Sequence, residues 1–285
     1  HNSHIESNIR LQRNRSRCIP WYHRKWCVTR YAAQIDISRE LELCNTMLQA
    51  DERNFHCWGY RRWVASVAHV STEAELAFTL ACIQRNFSNY SAWHYRSGVL
   101  AACGMDASAM VTELELLQAA MFTEPDDQSA WFYHRWLLDA ARKLLASSLD
   151  AAAVTPPTLP APVCTLLATL LKHTAALEEL VAAEPAAKWP KLAIAHIFTV
   201  LSQVMPALRA AAADEALVSA LRTDASTAAA AALLQRVTSD AACIAATVKH
   251  SYVDAARVDP MHTLCYSQLA ASAAQAGKDA EVAAL

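Results

Sequence analysis

Asp51–Val64 reads DERNFHCWGYRRWV, and the fold is decided by how the chain repeats it. Trp58, Arg61 and Arg62 stand at i, i+3 and i+4, on one face of a helix. Asn54, four residues ahead of the tryptophan, is placed to cap the free N–H groups of the first turn. The arrangement recurs as RCIPWYHRK around Trp21, NYSAWHYRS around Trp93 and DQSAWFYHR around Trp131, so the tryptophan returns at a near-constant step. That step is typical of helical-hairpin repeats, whose periods run from roughly 34 to 47 residues. Four residues before each tryptophan stand Arg17, Asn54, Asn89 and Asp127, three of them good caps. Two residues after it stand His23, Tyr60, Tyr95 and Tyr133. Three residues after it stand Arg24, Arg61, Arg96 and then His134, where the arginine has slipped to Arg135.

Between these helices lie amphipathic ones. Ser38–Ala50 stripes Leu41, Cys44 and Leu48; Ser71–Gln84 opens on a Thr72/Glu75 capping box and stripes Leu76, Leu80 and Ile83; Ala109–Phe122 stripes Val111, Leu114, Leu117 and Met121. Each period therefore holds two helices. Neither can bury its apolar face alone, so the pairs stack. The expected fold is all-α: an α-α superhelix, a right-handed solenoid of antiparallel helix hairpins like that of tetratricopeptide proteins. Four repeats fill residues 17–146 after a poorly defined segment, 1–16. The prolines of SSLDAAAVTPPTLPAP mark a linker over 147–162, and helical repeats resume over 163–285. DPMHTLCYSQLAAS (Asp259–Ser272) reads as a degenerate fifth copy with Tyr266 at the tryptophan position.

Composition agrees. Hydrophobic residues make up 54% and charged residues 18% of the 285, which is globular, and four glycines are too few for an all-β or dinucleotide-binding chain. A net charge of −2 gives no overall pull towards nucleic acid or an anionic membrane, and no long apolar span is present. Arg10, Arg13, Arg15, Arg17, Arg24, Lys25 and Arg30 nevertheless make the first thirty residues basic. Nine scattered cysteines without a C-x-x-C pair read as reduced thiols of a cytoplasmic protein. His1 and His4 are read as a terminal feature and no metal site is expected.

The repeated motif resembles the P/N-x-x-x-x-x-W-x-x-R repeat of protein prenyltransferase α subunits. Within that family ELELCNTMLQADERNFHCWGYRRWV, RNFSNYSAWHYRS and EPDDQSAWFYHRWLL look like the Rab geranylgeranyltransferase branch, as do LEELVAAEPAAKW and VDPMHTLCYSQLAAS. The likeness is strong over 20–146 and weaker over 166–272. It implies one chain of an obligate heterodimer, inactive alone and binding no cofactor itself. The β subunit would hold zinc and the lipid pocket. The pair would transfer geranylgeranyl from geranylgeranyl diphosphate to C-terminal cysteines of Rab GTPases presented by a Rab escort protein. The α subunit of farnesyltransferase or geranylgeranyltransferase-I is the alternative within the family; a non-enzymatic peptide-binding scaffold is the alternative outside it.

The resemblance also assigns residues. In the family a lysine five residues before an early repeat tryptophan faces the diphosphate, with a tyrosine two residues later. Here those positions are Ser16 and Cys18, flanked by Arg15 and Arg17; in the next repeat Asn54 and Phe55 take the corresponding asparagine–tyrosine place. Arg15, Arg17, Asn54 and Phe55 are thus the diphosphate-side candidates. Trp21, Trp58, Trp93 and Trp131 are expected in the core. Arg24, Arg61, Arg96 and Arg135 either bond carbonyls and carboxylates of neighbouring repeats or face the β subunit. Arg62, Tyr60, Tyr95, Tyr133 and His134 are candidate partner contacts.

Overall fold

The structure, a computed structural model, describes residues 18–152, 161–203 and 241–272. Regular structure among the described residues is helical: α1 (Cys18–Arg30), α2 (Ile37–Ala50), α3 (Phe55–Val67), α4 (Thr72–Arg85), α5 (Tyr90–Cys103), α6 (Ala107–Thr123), α7 (Gln128–Ala152), α8 (Ala161–Ala183), α9 (Lys188–Gln203) and α10 (Ala241–Val258). Two 3₁₀ turns, Ala32–Gln34 and Pro260–His262, and a last helical stretch over 263–272 complete them. The chain divides into two compact units, His1–Cys103 and Gly104–Leu285. That boundary falls inside the stretch of four tryptophan repeats. No described helix is long and apolar enough to cross a membrane.

Side-chain caps start the helices. The Asp36 carboxylate accepts from Ser38 N at 3.0 Å, the Asn54 amide oxygen from Cys57 N at 3.0 Å, that of Asn89 from Ala92 N at 3.0 Å, and Asp106 from Ala109 N at 2.8 Å. Each satisfies an N–H that the first turn cannot pair internally. The cap of α4 is Ser71, which accepts from Ala74 N at 3.3 Å, not the Thr72/Glu75 box expected from sequence. Glu75 is unavailable for that role because its side chain is buried in an ion pair. Gly104, at φ 78°, supplies the left-handed residue after α5.

The expected linker over 147–162 is shorter than its prolines suggest. α7 continues to Ala152 and α8 begins at Ala161, with Pro162 in its first turn. Proline is tolerated there because that N–H has no intrahelical partner. Residues 153–160, 204–240 and 273–285 lie outside the described residues.

In the first unit α2 pairs with α3 and α4 with α5, while α1 packs on α3 and α3 on α5. In the second, α6 pairs with α7 and α8 with α9, while α6 lies on α8, α7 on α9, and α9 on α10. Within each unit, hairpins thus stack like on like. The core is drawn from the inward stripes of these helices, such as Cys44, Met47 and Leu48 in α2 and Leu114, Leu117 and Met121 in α6.

Candidate functional site

The four repeat tryptophans are each 5% exposed or less. The indole N–H of Trp58 donates to the Glu52 carbonyl at 2.9 Å, that of Trp93 to Phe87 at 2.8 Å and that of Trp131 to Pro125 at 2.9 Å. In every case the acceptor is six residues back. The indole therefore ties the loop before a hairpin's second helix onto that helix while burying its rings.

The tyrosines two residues on are buried as well: Tyr60, Tyr95 and Tyr133 are 3–4% exposed. Each donates its hydroxyl to a buried glutamate 20 residues earlier, Tyr60 to Glu40 at 2.7 Å, Tyr95 to Glu75 at 2.5 Å and Tyr133 to Glu113 at 2.7 Å. Burial, together with the adjacent carboxylate, pushes the Tyr60 and Tyr95 phenols far above their ordinary range, so both stay protonated donors. Glu40 and Glu75 also receive the arginine of the preceding repeat. Arg24 grips Glu40 in a fork at 2.6 and 2.8 Å, and Arg61 grips Glu75 at 3.2 and 2.7 Å. Arg61 also donates to Asn45 at 2.6 Å and lies over the Phe78 ring at 3.3 Å. Arg96 donates to the Leu76 carbonyl at 2.8 Å and to Thr79 at 3.1 Å. A fork on a buried carboxylate is the pairing guanidinium geometry favours. Rings complete the joint, with Trp21 packed on Tyr60 at 5.4 Å between centres and Trp58 on Tyr95 at 5.3 Å.

These contacts correct several sequence expectations. Tyr60, Tyr95, Tyr133 and His134 are not surface contacts, since each is 4% exposed or less and its polar atom faces another hairpin helix. Arg62 alone of that group is exposed, over the Tyr95 ring at 5.4 Å. Arg135 does not continue the arginine column; it is exposed, and the inward position belongs to His134. Of the diphosphate-side candidates, Asn54 is buried and occupied as a cap, Phe55 is 70% exposed with its ring against His56 at 3.9 Å, and Arg15 and Arg17 lie outside the described residues. Glu40 and Glu113 escape the sequence reading, and Glu75 enters it only as a capping residue. Their signal is a constant separation of 20 residues from the repeat tyrosine that follows.

The second unit departs from this scheme after α7. His134 holds the arginine register and His173, in α8, holds the glutamate register; their Nε2 atoms meet at 3.1 Å. Burial drives both imidazoles neutral, His173 down to about 4 and His134 well below its usual value, the latter also through His173 and His196. In α9 the tryptophan register falls on Lys191, which is buried and donates from Nζ to the Pro185 carbonyl, again six residues back. Trp189, two residues earlier, packs edge-on against Phe132 at 5.7 Å. Tyr266 is buried, and its hydroxyl donates at 2.9 Å to the carboxylate of Asp259, seven residues back, not to a carbonyl six residues back. Lys188, at 2.7 Å, and His262 also bind Asp259, and these hydrogen bonds hold its carboxyl well below the ordinary range.

The repeats match a known family. Residues 37–67, 72–103 and 111–141 each fit the protein prenyltransferase alpha subunit repeat. Those three stretches are similar to that family's repeat. It is 53% identical over 131 residues to the geranylgeranyl transferase type-2 subunit alpha of Rattus norvegicus and 52% to that of Homo sapiens. Either match covers 42% of this chain and 23% of the relative. The subunit of the same name from Dictyostelium discoideum is 34% identical over 174 residues, 60% of this chain and 50% of that one. The chain thus spans half or less of each of these curated relatives. Candida albicans protein geranylgeranyltransferase-I complexed with GGPP shares the fold at a TM-score of 0.54 and 12% identity, over 96% of this chain and 84% of that one. The prenyltransferase repeats are therefore hairpins of an all-α superhelix held by tryptophan, arginine, glutamate and tyrosine columns.

Proposed function

We propose that this chain is the α subunit of a Rab geranylgeranyltransferase, inactive until it joins a β subunit. The observation that carries the reading is the 53% identity over 131 residues to a type-2 α subunit, in a chain with three matched prenyltransferase repeats. Among the described residues no group of three or more His, Cys, Asp or Glu side chains is placed to hold a metal ion. Zinc and the prenyl pocket are assigned to the β subunit. Thiolate formation and support for the departing diphosphate would arise there, with geranylgeranyl passing to cysteines of a Rab GTPase held by an escort protein.

This chain's own work is positional. The buried arginine–glutamate–tyrosine joints at Glu40 and Glu75 tie the hairpins of the first unit together, and that fixes the side chains left outside. At the start of α3 Phe55 stands exposed beside a capped helix end, and further along the same helix Arg62 projects a guanidinium. An aromatic ring and a cation on a rigid hairpin suit a partner surface or the edge of a diphosphate site.

Co-expression tests this. The chain should co-purify with a prenyltransferase β subunit at one to one, and geranylgeranyl transfer to a Rab should need both chains and an escort protein. Transfer by the chain alone, or no β-subunit complex, would refute the proposal. A preference for farnesyl or for a C-a-a-X acceptor would move the chain to the sister enzymes.

A further inference from the structure

The second unit holds a cleft of about 450 Å³ between α7, α9, α10 and the last helical stretch. It lies where the repeat pattern lapses. Trp21 packs on Tyr60 and Trp58 on Tyr95, but the hairpin after Trp131 carries its register marker at Lys191, so the tyrosine position two residues later is Ala193. Trp131 and Ala193 both line the cleft, and Phe132, Trp189, Tyr252 and Leu269 extend its apolar walls. Its size and its aromatic lining are those of a small-molecule site.

The polar part of the lining is one-sided. Arg135, Lys188, His196 and His262 reach the cleft, and among the described residues no Asp or Glu lines it. Lys188 and His262 are engaged by Asp259, and His196 faces Asp139 at 3.5 Å. Arg135, by contrast, has no carboxylate partner among the described residues, and a guanidinium keeps its charge at every working pH. The Tyr252 hydroxyl and the Trp189 indole N–H, in the same walls, have no hydrogen-bond acceptor among the described residues. Burial raises the Tyr252 phenol above its ordinary range, against the opposing pull of the Arg135 charge, so the hydroxyl stays a donor. Three donors without an acceptor, one of them a full cation, ask for a ligand that brings anionic oxygens. The aromatic walls ask that the rest of it be apolar.

We propose that this cleft binds a small carboxylic acid with a flat aromatic body, its carboxylate held by Arg135 and Tyr252 and its ring among Trp131, Phe132 and Trp189. The site goes beyond prenyl transfer, because it is built from the second unit's own helices and draws on no β subunit chemistry.

The probe is 1-naphthylacetate, titrated against the full chain by ligand-observed NMR. A second readout is the exposed thiol of Cys265 in the cleft wall, whose alkylation by N-ethylmaleimide is followed by peptide mass spectrometry, with exposed Cys103 as the control outside the cleft. Saturable binding is expected, with slower alkylation of Cys265 and an unchanged rate at Cys103. Arg135→Gln should weaken the acid by at least about five-fold, the size of a charge-assisted pair, and leave the neutral 1-naphthylacetamide unaltered. Leu269→Glu, at an exposed rim position, should weaken the acid by like-charge repulsion without removing core packing. Acetate, which lacks the ring, should bind at least about ten-fold more weakly than the probe. Absence of saturation overturns the proposal, as do equal protection of Cys103, an affinity that either variant leaves unchanged, and acetate binding as tight as the probe's. No prenyl donor, prenyl acceptor or β subunit enters the assay, so its failure is separate from failure of the enzymatic reading.

Discussion

In the α1–α5 unit, Arg24 and Arg61 each close a joint on a buried glutamate that also takes a tyrosine hydroxyl; at the matching positions of α7 and α8, His134 and His173 face one another with no carboxylate between them. Both joints are buried, and both satisfy most of their polar atoms. They differ in what they need from solvent conditions. An arginine–glutamate fork must repay the desolvation of two charges, which it does through several hydrogen bonds per carboxylate. Two neutral imidazoles avoid that cost, but they become vulnerable to protons. One repeat thus tolerates either a charged or an uncharged lock, provided both partners change together.

The sharpest way to break the comparison is to remove one partner of the charged lock. Glu75→Ala strands the Arg61 guanidinium and the Tyr95 hydroxyl in a buried site, and urea unfolding should report a loss of about 3–5 kcal/mol. A loss below about 1 kcal/mol, the size of an exposed pair, would mean that water reaches the joint.

Acid tests the other lock. The folded pKa of both histidines lies below that of the unfolded chain, so their contribution is complete above about pH 6.5 and is lost as pH falls, that of His173 towards about 4. Melting followed between about pH 7 and 4 should show stability falling steadily as the pair is forced to take up protons. The double variant His134→Arg/His173→Glu copies the first unit's joint and should flatten that slope. A profile unchanged in the double variant would place the acid sensitivity elsewhere.

The smallest effect concerns the hairpin start, which the two units share. Asn54→Ala removes the cap from Cys57 N and should lower stability by about 1 kcal/mol, while Asn54→Asp should restore most of it. Thermal unfolding of the two variants side by side gives the answer. It also separates the cap from any diphosphate role, since a cap change alters stability before it alters transfer.

Much of this architecture is legible from residue types. Tryptophans at a near-constant step, with asparagine or aspartate four places before three of them, announce hairpins and their starting points. The glutamates do not stand out in the same way, because a lone Glu40 or Glu75 on an amphipathic helix is usually solvated. Only the constant separation of 20 residues from a tyrosine sets them apart. Tyr60, Tyr95 and Tyr133 are misplaced on a partner surface for a related reason: a hydroxyl on an amphipathic helix suits either a wet face or a buried acceptor, and helical period cannot tell which. The prolines overstate the linker because proline ends a helix in the interior yet fits a first turn, as Pro162 does.

The sequence by itself determined the hairpin period, the caps at Asn54 and Asn89 and the all-α class, since these rest on local spacing and on interactions within a few residues. Tertiary structure decided the rest. Lys191, not Trp189, keeps the tryptophan register, because the test is a hydrogen bond to the carbonyl six residues back and not the presence of an indole. His134 and His173 form one lock although 39 residues separate them, and Trp131 is left beside a cleft because Ala193 replaces a ring. Such pairings depend on which helix lies against which. That is a property of packing between hairpins, where the energy comes from burial and matched polar partners that no single segment contains.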